Sequence, residues 1–316
     1  MKLLDAEAVR ARLPFDRLVP ALDAMFARDD CQVPRRHVHE LDAPDGTRLT
    51  SLLMPAWLPG RYYGLKTVNI APGNAARDLP GLHAVYVLFD ATTGAPLAQL
   101  DGDQITARRT AAASALAASR LARREARRLL VVGAGQVARL LPEAYRAVLP
   151  VERVVVWARD PARAQALAAQ WRAHGLDAAA AAGLEAAVRE ADIVSCATLA
   201  TEPVVHGRWL APGSHLDLIG SFTPAMREAD DDCFAGARLW IDTNEALAKS
   251  GELLGPMSRG VFAAADVQGT LAQLARGAAS GRRSPVERTV FKSVGTALED
   301  LAAAILAYEA AGGAPR

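Results

Sequence analysis

The sequence predicts an α/β protein in which a region of antiparallel strands is followed by a region of alternating strands and helices. In the first region, residues 1–104, strand-like stretches are separated by turn signals such as Asp45-Gly46 and Thr93-Gly94, which favour an antiparallel sheet. In the second region, residues 110–281, short apolar runs alternate with helical patterns, which is typical of βαβ units with a parallel sheet. One further helix is predicted in the tail at 295–310.

Each element has a local signal. The first region contains apolar stretches bounded by turns that predict strands at 32–40, 47–57, 63–71 and 83–89. The second region contains buried-type apolar runs that predict strands at 129–132, 154–157, 193–197, 215–219 and 239–242. Helices are predicted over the alanine-rich stretch 111–128, from Gln136, and from Pro161, because proline is tolerated in a first turn. Pro142 is expected to kink or restart the helix that begins at Gln136.

Composition excludes several classes of protein. The 316 residues suggest about two domains, and 51% hydrophobic with 22% charged residues is an ordinary globular composition. Thirty-six basic residues balance thirty-five acidic ones, so the basic excess of a typical nucleic-acid-binding protein is missing. No apolar run reaches the roughly 18 residues of a membrane span, and the three cysteines are widely spaced. We therefore expect a soluble cytoplasmic protein that binds neither nucleic acid nor membrane.

A dinucleotide-binding signature follows the first strand of the second region. The run Gly133-Ala134-Gly135-Gln136-Val137-Ala138 fits GxGxxG/A, comes directly after an apolar strand and opens a helix, as the motif requires. Gly133 allows the tight turn, and Gly135 lets the backbone approach a pyrophosphate, which the positive end of the helix attracts. The sequence therefore predicts a Rossmann domain with a nicotinamide cofactor. The alternative is a glycine turn in another α/β fold.

The choice of cofactor depends on the end of the next strand. Arg159 and Asp160 stand there together, roughly twenty residues past the glycines. An arginine suits the 2′-phosphate of NADP, whereas an acidic residue suits the ribose hydroxyl of NAD. We interpret Arg159 as the phosphate ligand and Asp160 as the N-cap of the helix that starts at Pro161. NADP(H) is therefore favoured, and NAD(H) is the alternative.

Several cationic residues are candidates for binding a small acidic substrate. Lys66 lies on a predicted strand, Arg35 and Arg36 on an extended stretch, and Arg108 and Arg109 at the junction of the two regions. Each could be an ordinary surface charge, but guanidinium groups bind carboxylates in a bidentate manner, which suits an amino-acid or imino-acid substrate. His37 and His39 share a strand face without a third ligand nearby, so we expect no metal.

Taken in order, further motifs resemble the ornithine cyclodeaminase/mu-crystallin family over nearly the whole chain. Besides the glycine loop, the matching stretches begin with Met54-Pro55-Ala56, Leu65-Lys66-Thr67-Val68-Asn69 and the segment 101–112, which ends in Arg109-Thr110-Ala111-Ala112. They continue with 199–203, 242–246, 249–252 and Phe291-Lys292-Ser293-Val294-Gly295.

The resemblance implies a homodimer with a Rossmann domain, residues 111–289, inserted into an α+β substrate-binding and dimerisation domain, residues 1–110 and 290–316. It implies Lys66 and Arg109 as catalytic residues, and further substrate contacts from Arg36, Met54, Thr67 and Phe222. The implied cofactor-binding residues are Thr110, Gly133, Ala134, Gly135, Gln136, Val137, Arg159, Thr198, Leu199, Ala200 and Ser221.

One departure from the family pattern bears on the reaction. Cyclodeaminases resemble Gly-x-Asp-x-Pro where this chain has Gly220-Ser221-Phe222-Thr223-Pro224, so their catalytic carboxylate is replaced by Phe222. We therefore predict an NADPH-dependent reductase that converts Δ1-pyrroline-2-carboxylate or Δ1-piperideine-2-carboxylate into L-proline or L-pipecolate. The alternatives are ornithine cyclodeaminase, an alanine-type dehydrogenase and a non-catalytic NADPH-dependent binding protein. Were deamination observed, Glu228 would be the first candidate to replace the missing aspartate.

Overall fold

The computed structural model describes residues 1–44 and 46–316 and confirms the predicted α/β fold class. The Asp45 half of the predicted Asp45-Gly46 turn lies outside the described residues. By its internal contacts the chain divides into two compact units, residues 1–109 with 296–316, and residues 110–295. Within the described part of the chain, none of the helices combines the length and apolar character that crossing a membrane requires.

The first unit is built on a six-stranded sheet. Its strands are β1 (Lys2–Leu4), β2 (His37–Asp42), β3 (Arg48–Leu58), β4 (Tyr62–Ile70), β5 (Leu82–Asp90) and β6 (Pro96–Asp101). They run in the order β1-β6-β5-β4-β3-β2; neighbours from β2 to β6 are antiparallel, and β1 pairs in parallel with β6. The helices are α1 (Ala6–Arg12), α2 (Phe15–Ala27), the start of α3 (Gly102–Leu121) and the C-terminal α10 (Ala297–Ala310).

The two faces of this sheet differ because side chains alternate along a strand. On the inner face, residues such as Met54, Lys66 and Tyr86 are buried, and α10 packs across β3, β4 and β5. On the outer face, three cross-strand rows of β3, β4 and β5 are only half-buried. These rows are Leu53-Thr67-Val85, Pro55-Leu65-Val87 and Trp57-Tyr63-Phe89. The first unit therefore presents a largely apolar outer face.

The second unit contains eight parallel strands. They are β7 (Arg128–Val132), β8 (Arg153–Trp157), β9 (Asp177–Ala180), β10 (Ile193–Cys196), β11 (His215–Leu218), β12 (Arg238–Ile241), β13 (Gly269–Thr270) and β14 (Thr289–Lys292). Their order is β13-β12-β14-β11-β10-β7-β8-β9. The helices are α4 (Gln136–Arg146), α5 (Pro161–Ala173), α6 (Leu184–Glu190), α7 (Glu245–Lys249), α8 (Gly251–Ser258) and α9 (Leu271–Ala275). Single-turn 3₁₀ helices lie at Pro72–Arg77 in the first unit and at Gly207–Trp209, Asp231–Cys233 and Ala264–Asp266 in the second.

Two boundaries differ from the sequence-based expectation. The helix expected at 111–128 is α3, which begins at Gly102 because the side chain of Asp101 accepts a hydrogen bond from the N–H of Gln104 at 2.7 Å. The expected domain boundary at 290 falls inside β14, which pairs with β11 and β12 in the middle of the second sheet. Five strands, β1, β6, β9, β13 and β14, had no predicted counterpart, and α4 continues through Pro142 as one helix.

Candidate functional site

The glycine loop after β7 has the geometry of a pyrophosphate cradle. Gly133 adopts a φ of +119°, and a Cβ there would lie 2.5 Å from the carbonyl oxygen of Ala197. Gly135 is the N-cap of α4, has open space around its Cβ position and provides no side chain to cap the helix. The first N–H groups of α4 are thus available to an anion. This arrangement fits the nicotinamide dinucleotide that the sequence predicts.

The strand order locates this loop at a topological switch point. From β7 the chain moves to β8 and β9 on one side, and it later returns to β10 on the other side of β7. In open α/β sheets, ligands bind outside the carboxyl ends of the strands at such a point. We therefore expect the adenosine half of the cofactor on the β8 side and the nicotinamide half on the β10 and β11 side.

A cavity lies beside the glycine loop, between α4 and α5. The predicted residues Ala134, Gly135 and Gln136 line it, together with Arg139 and Arg163, which the sequence analysis missed. Both arginines lie on exposed helix surfaces, where sequence alone cannot distinguish a ligand from a solvated charge. Val137 is half-buried in the first turn of α4.

Of the two residues predicted to act after β8, Asp160 has the predicted N-cap role, and the phosphate-binding role of Arg159 stays a prediction. Arg159 is exposed directly after the strand but does not line the cavity between α4 and α5. Asp160 is the N-cap of α5, and its Oδ1 accepts a hydrogen bond from the N–H of Ala162 at 3.0 Å. Since this carboxylate already serves the helix, it is less available to a ribose hydroxyl.

The loops after β10 and β11 carry the remaining predicted cofactor residues apart from Thr110. Leu199 is 78% exposed and Phe222 is 43% exposed, which is unusual for large apolar side chains. Ala200 is half-buried, whereas Ser221 is fully buried and its hydroxyl accepts a hydrogen bond from the N–H of Glu252 at 3.1 Å. The side chain of Ser221 therefore faces the interior rather than a ligand. Thr110 is half-buried in α3.

Glu228 connects these two loops from beneath. Its Oε1 accepts hydrogen bonds from the N–H and the hydroxyl of Thr198 at 2.7 and 2.8 Å, and its Oε2 accepts one from the N–H of Gly220 at 2.6 Å. The residue is fully buried. Both oxygens are thus engaged with the protein, so Glu228 does not have the form of a replacement for the aspartate missing at 222.

A second buried carboxylate supports the first. Glu252 accepts hydrogen bonds from the N–H groups of Glu228 and Ala229 at 2.7 and 2.9 Å. Burial raises the pKa of Glu252 to about 7; the Lys292 ammonium opposes this rise, and Glu228 adds to it. Lys292 is itself fully buried and donates to the carbonyl of Leu218 at 2.9 Å. The sequence analysis missed this cluster, although the Glu252 and Lys292 segments belong to the motifs it quoted.

In the first unit, Lys66 lies on the inner face of the sheet. It is the cross-strand partner of both Met54 and Tyr86, and only 1% of it is exposed. Its Nζ donates to Oδ1 of Asp300 at 2.9 Å and to the hydroxyl of Thr106 at 3.2 Å. Burial lowers the pKa of Lys66 to about 8, although the Asp300 carboxylate opposes the shift. Lys66 therefore remains mostly protonated near neutral pH.

Arg109 joins the same buried cluster. Its Nε donates to Oδ1 of Asp300 at 2.9 Å, and its Nη1 donates to Oε2 of Glu299 at 2.6 Å. Burial alone would raise the pKa of Asp300, but Lys66 and Arg109 together lower it. Two cations thus face two anions. The sequence analysis missed Glu299 and Asp300, although two acidic residues in the first turn of an otherwise apolar helix were a visible signal.

The remaining predicted substrate residues do not all share this face. Met54 does, and the residue before β2 on the same alternation is Arg36, which is half-buried, whereas Arg35 is exposed. Thr67 lies on the outer face, because adjacent residues of a strand point to opposite sides. The expectation that Thr67 lines a pocket with Lys66 is therefore not met.

Arg108, another cationic candidate from the sequence, has a structural role. Arg108 is buried, donates to the carbonyl of Leu13 at 2.7 Å and lies over the ring of Phe15 at 4.4 Å from its centroid, so it holds α3 against α2. Within residues 1–44 and 46–316, no group of three or more His, Cys, Asp or Glu residues could hold a metal ion.

Comparisons with known proteins agree with this picture. The sequence pattern of the ornithine cyclodeaminase/mu-crystallin family matches residues 2–314. Delta(1)-pyrroline-2-carboxylate reductase of Paracoccus denitrificans is 47% identical over 284 residues, which cover 88% of this chain and 89% of that protein. The structure of Thermococcus litoralis Delta(1)-pyrroline-2-carboxylate reductase in complex with NADH and L-proline has a TM-score of 0.91 and 32% identity, covering 98% of this chain and 97% of that one. An archaeal alanine dehydrogenase dimer with bound NAD has a TM-score of 0.90 and 31% identity, covering 98% and 96% of the two chains.

Glu252 makes the stability of the second unit depend on pH. Its pKa is about 7 in the folded protein against 4.5 for an ordinary glutamate, so folding favours the protonated form. The stabilisation is fully present below about pH 4.5 and is lost as the pH rises through about 7. We expect this group to reduce the free energy of unfolding by up to about 3 kcal/mol between about pH 5 and about pH 8, measured by urea denaturation.

The variant Glu252→Gln should remove this part of the pH dependence. The matched control is Glu185→Gln, a half-exposed carboxylate on α6, which should leave the slope unchanged. An identical slope in wild type and Glu252→Gln would contradict the assignment.

Proposed function

The chain belongs to the ornithine cyclodeaminase/mu-crystallin family and is a nicotinamide-dependent oxidoreductase, and from this premise we propose that it reduces a cyclic ketimine carboxylate with NADPH. The proposed substrates are Δ1-pyrroline-2-carboxylate and Δ1-piperideine-2-carboxylate, and the products are L-proline and L-pipecolate. The relatives named as pyrroline-carboxylate reductases support the ring chemistry.

The loop after β11 carries the proposal. It has Phe222 where cyclodeaminases of the family have an aspartate, and the next carboxylate along the chain, Glu228, has both oxygens bonded to the protein. Expulsion of ammonia needs a group that transfers protons. Reduction of a C=N bond does not need a carboxylate on this loop, because a protonated imine carbon accepts a hydride readily and Lys66 can donate the one proton that a neutral imine needs. The loop therefore favours reduction over deamination.

The residues of the first unit supply the charges that such a substrate needs. The bound cofactor supplies the hydride. Arg36 and Arg109 bind the substrate carboxylate, since a guanidinium pairs with it in a bidentate manner. Lys66, protonated near neutral pH, donates a proton when the imine arrives neutral, and the hydride then completes a secondary amine. Lys66 and Arg109 form ion pairs with Asp300 and Glu299. Arg36 adds a third cation to this face.

Turnover is the first test. Purified protein with NADPH should consume either cyclic ketimine, seen as loss of absorbance of the reduced cofactor, and should form proline or pipecolate. Ornithine with NAD should yield no ammonia. Pyruvate with ammonia is the parallel assay for an alanine-type reaction, because an archaeal alanine dehydrogenase has a similar structure.

A pair of adjacent arginines provides the matched control. Arg36→Lys should lower kcat/KM for the imine about 10- to 100-fold, mainly through KM, because a lysine cannot replace the bidentate contact. Arg35→Lys should leave it unchanged, since Arg35 is exposed and lies one residue out of the alternation that places Arg36 with Met54. Absence of imine turnover in the wild type, or proline and ammonia from ornithine, would overturn the proposal.

The preference for NADPH rests on the arginines around the glycine loop. Arg139 and Arg163 line the cavity beside it, Arg159 follows β8, and Asp160 is engaged in capping α5. Guanidinium groups suit the 2′-phosphate, which NADH lacks. The neighbouring structures hold NADH or NAD, so the preference depends on residues of this chain.

Removal of these arginines should change the cofactor preference without affecting NADH. We expect Arg159→Ala and Arg163→Ala each to raise KM for NADPH about tenfold and to leave KM for NADH within about twofold. The control is Arg189→Ala on the exposed surface of α6. Equal effects on both cofactors, or a wild type that prefers NADH, would contradict NADPH specificity while leaving the ketimine reaction intact.

The outer face of the first sheet supports a homodimer. Its three half-buried rows are mostly apolar, and the occupant we propose is the same face of a second copy, as a related structure is a dimer. Light scattering should give twice the chain mass of 33.4 kDa. Leu65→Asp in the centre of this face should give a monomer, whereas Val286→Asp, an exposed apolar residue of the second unit, should not. A monomeric wild type would overturn the dimer.

A further inference from the structure

We propose that Glu228 is a positioning residue for the nicotinamide half of the cofactor and that Glu252 holds Glu228 in place. The inference rests on the proposed function only in requiring a bound nicotinamide, and it concerns residues of the second unit alone. From the sequence, Glu228 is only a possible replacement for the missing aspartate, and Glu252 has no predicted role.

Glu228 joins the loops after β10 and β11 through both of its carboxylate oxygens. One carboxylate oxygen accepts two hydrogen bonds from Thr198, which follows β10, and the other accepts one from Gly220, which follows β11. A Cβ at Gly220 would lie 2.0 Å from the carbonyl oxygen of Thr198 and 2.4 Å from Oε1 of Glu228, so all three residues pack in direct contact. Hydrogen bonds to a carboxylate are about twice as strong as neutral ones. Glu228 therefore fixes the separation of the two loops.

The two loops belong to the side of the sheet where the nicotinamide is expected. They follow the two strands next to β7 on the side away from β8, where the nicotinamide half of a dinucleotide is expected. They also carry the exposed apolar side chains Leu199 and Phe222. Large apolar groups left exposed on two loops that are bonded to the same carboxylate indicate a surface that a ligand covers. Movement of Thr198 or Gly220 would displace both groups.

Glu252 and Lys292 hold Glu228 in place. Glu252 accepts hydrogen bonds from the N–H groups of Glu228 and Ala229, which fixes the backbone that carries the first carboxylate. The buried ammonium of Lys292 attracts both carboxylates and is itself bonded to the carbonyl of Leu218, two residues before Gly220. The two buried carboxyl groups thus have a cation next to the loop that they support.

This role predicts a separation of binding from rate. The glycine loop, α4 and the arginines bind the pyrophosphate and adenosine, and Glu228 touches none of them. A displacement of about 1 Å at a reacting group can cost roughly 100-fold in rate. We call the hydrogen bonds from Thr198 and Gly220 to Glu228 the brace. Loss of the brace should therefore lower kcat while leaving most of the affinity for the cofactor.

The test is the variant Glu228→Gln. Its side-chain amide has one acceptor oxygen, so one of the two loops loses its acceptor and meets an NH₂ group instead. We expect kcat to fall about 10- to 100-fold, and the Kd for NADPH, measured by calorimetry, to change less than about threefold. The matched control is Asp217→Asn, which alters another fully buried carboxylate of the same sheet. Asp217 accepts hydrogen bonds from Ser114, Tyr145 and Ser195 and touches neither loop. It should lower the melting temperature yet keep kcat within about threefold.

A second readout does not depend on turnover. The fluorescence of reduced nicotinamide rises when the ring is held in an apolar, ordered site. Wild type and Asp217→Asn should enhance the emission of bound NADPH, and Glu228→Gln should lose most of that enhancement although NADPH remains bound. If Glu228→Gln is insoluble, Thr198→Val, which removes one of the two Thr198 donors to Oε1, should give a smaller loss of emission.

The possible results separate the two proposals. An inactive wild type that still enhances NADPH emission, with the enhancement lost in Glu228→Gln, would overturn the ketimine reaction but support the brace. Full emission and kcat in Glu228→Gln would overturn the brace. Equal losses of NADPH affinity in Glu228→Gln and Asp217→Asn would also overturn it, since both effects would then be general destabilisation.

Discussion

The buried contact between Lys66 and Asp300 determines how the first unit is assembled. An ammonium on the packed face of a sheet needs a carboxylate, because breaking such a buried pair costs roughly 3–5 kcal/mol. The carboxylate comes from α10, more than two hundred residues later in the chain. Arg109 joins the pair at the point where α3 leaves the first unit. The C-terminal helix is thereby held against the N-terminal sheet, and residues 110–295 form an insertion between them.

The second unit also contains buried charged groups, but there they bind the backbone of loops. Glu228, Glu252 and Lys292 are all fully buried, and their hydrogen bonds go mostly to backbone at the carboxyl end of the sheet. In the first unit, the buried charges pair side chains of one strand and two helices, β4, α3 and α10. In the second unit, they hold the backbone of loops. A cofactor site needs loops of defined shape, and charged hydrogen bonds define shape more narrowly than apolar packing does.

Local patterns predicted much of this structure. The turn at Gly133 and the start of α4 follow from backbone chemistry that only glycine and a helix N-terminus provide, and Asp160 caps α5 as its position predicts. Partners distant in sequence could not be inferred in the same way. Nothing near Lys66 points to Asp300. Thr67, by contrast, could have been placed on the face opposite Lys66 from alternation along the predicted strand alone. From the sequence, Glu228 looked like a carboxylate available for proton transfer. The two loops that donate hydrogen bonds to it become neighbours only in the folded sheet, so this role could not be inferred.

The distribution of proton-transferring groups argues for the direction of the chemistry. In the loop after β11, the position of a catalytic aspartate holds an aromatic ring, and the next carboxylate is committed to backbone N–H groups. A loop of this composition can cover an apolar ring and exclude water, but it has no side chain that could transfer a proton to departing ammonia. The first unit, by contrast, holds a lysine whose pKa burial lowers to about 8, close enough to neutrality for it to give up a proton and regain it. A chain that retains a proton donor beside its arginines and lacks a base on its cofactor loop is suited to adding a hydride and a proton across a C=N bond.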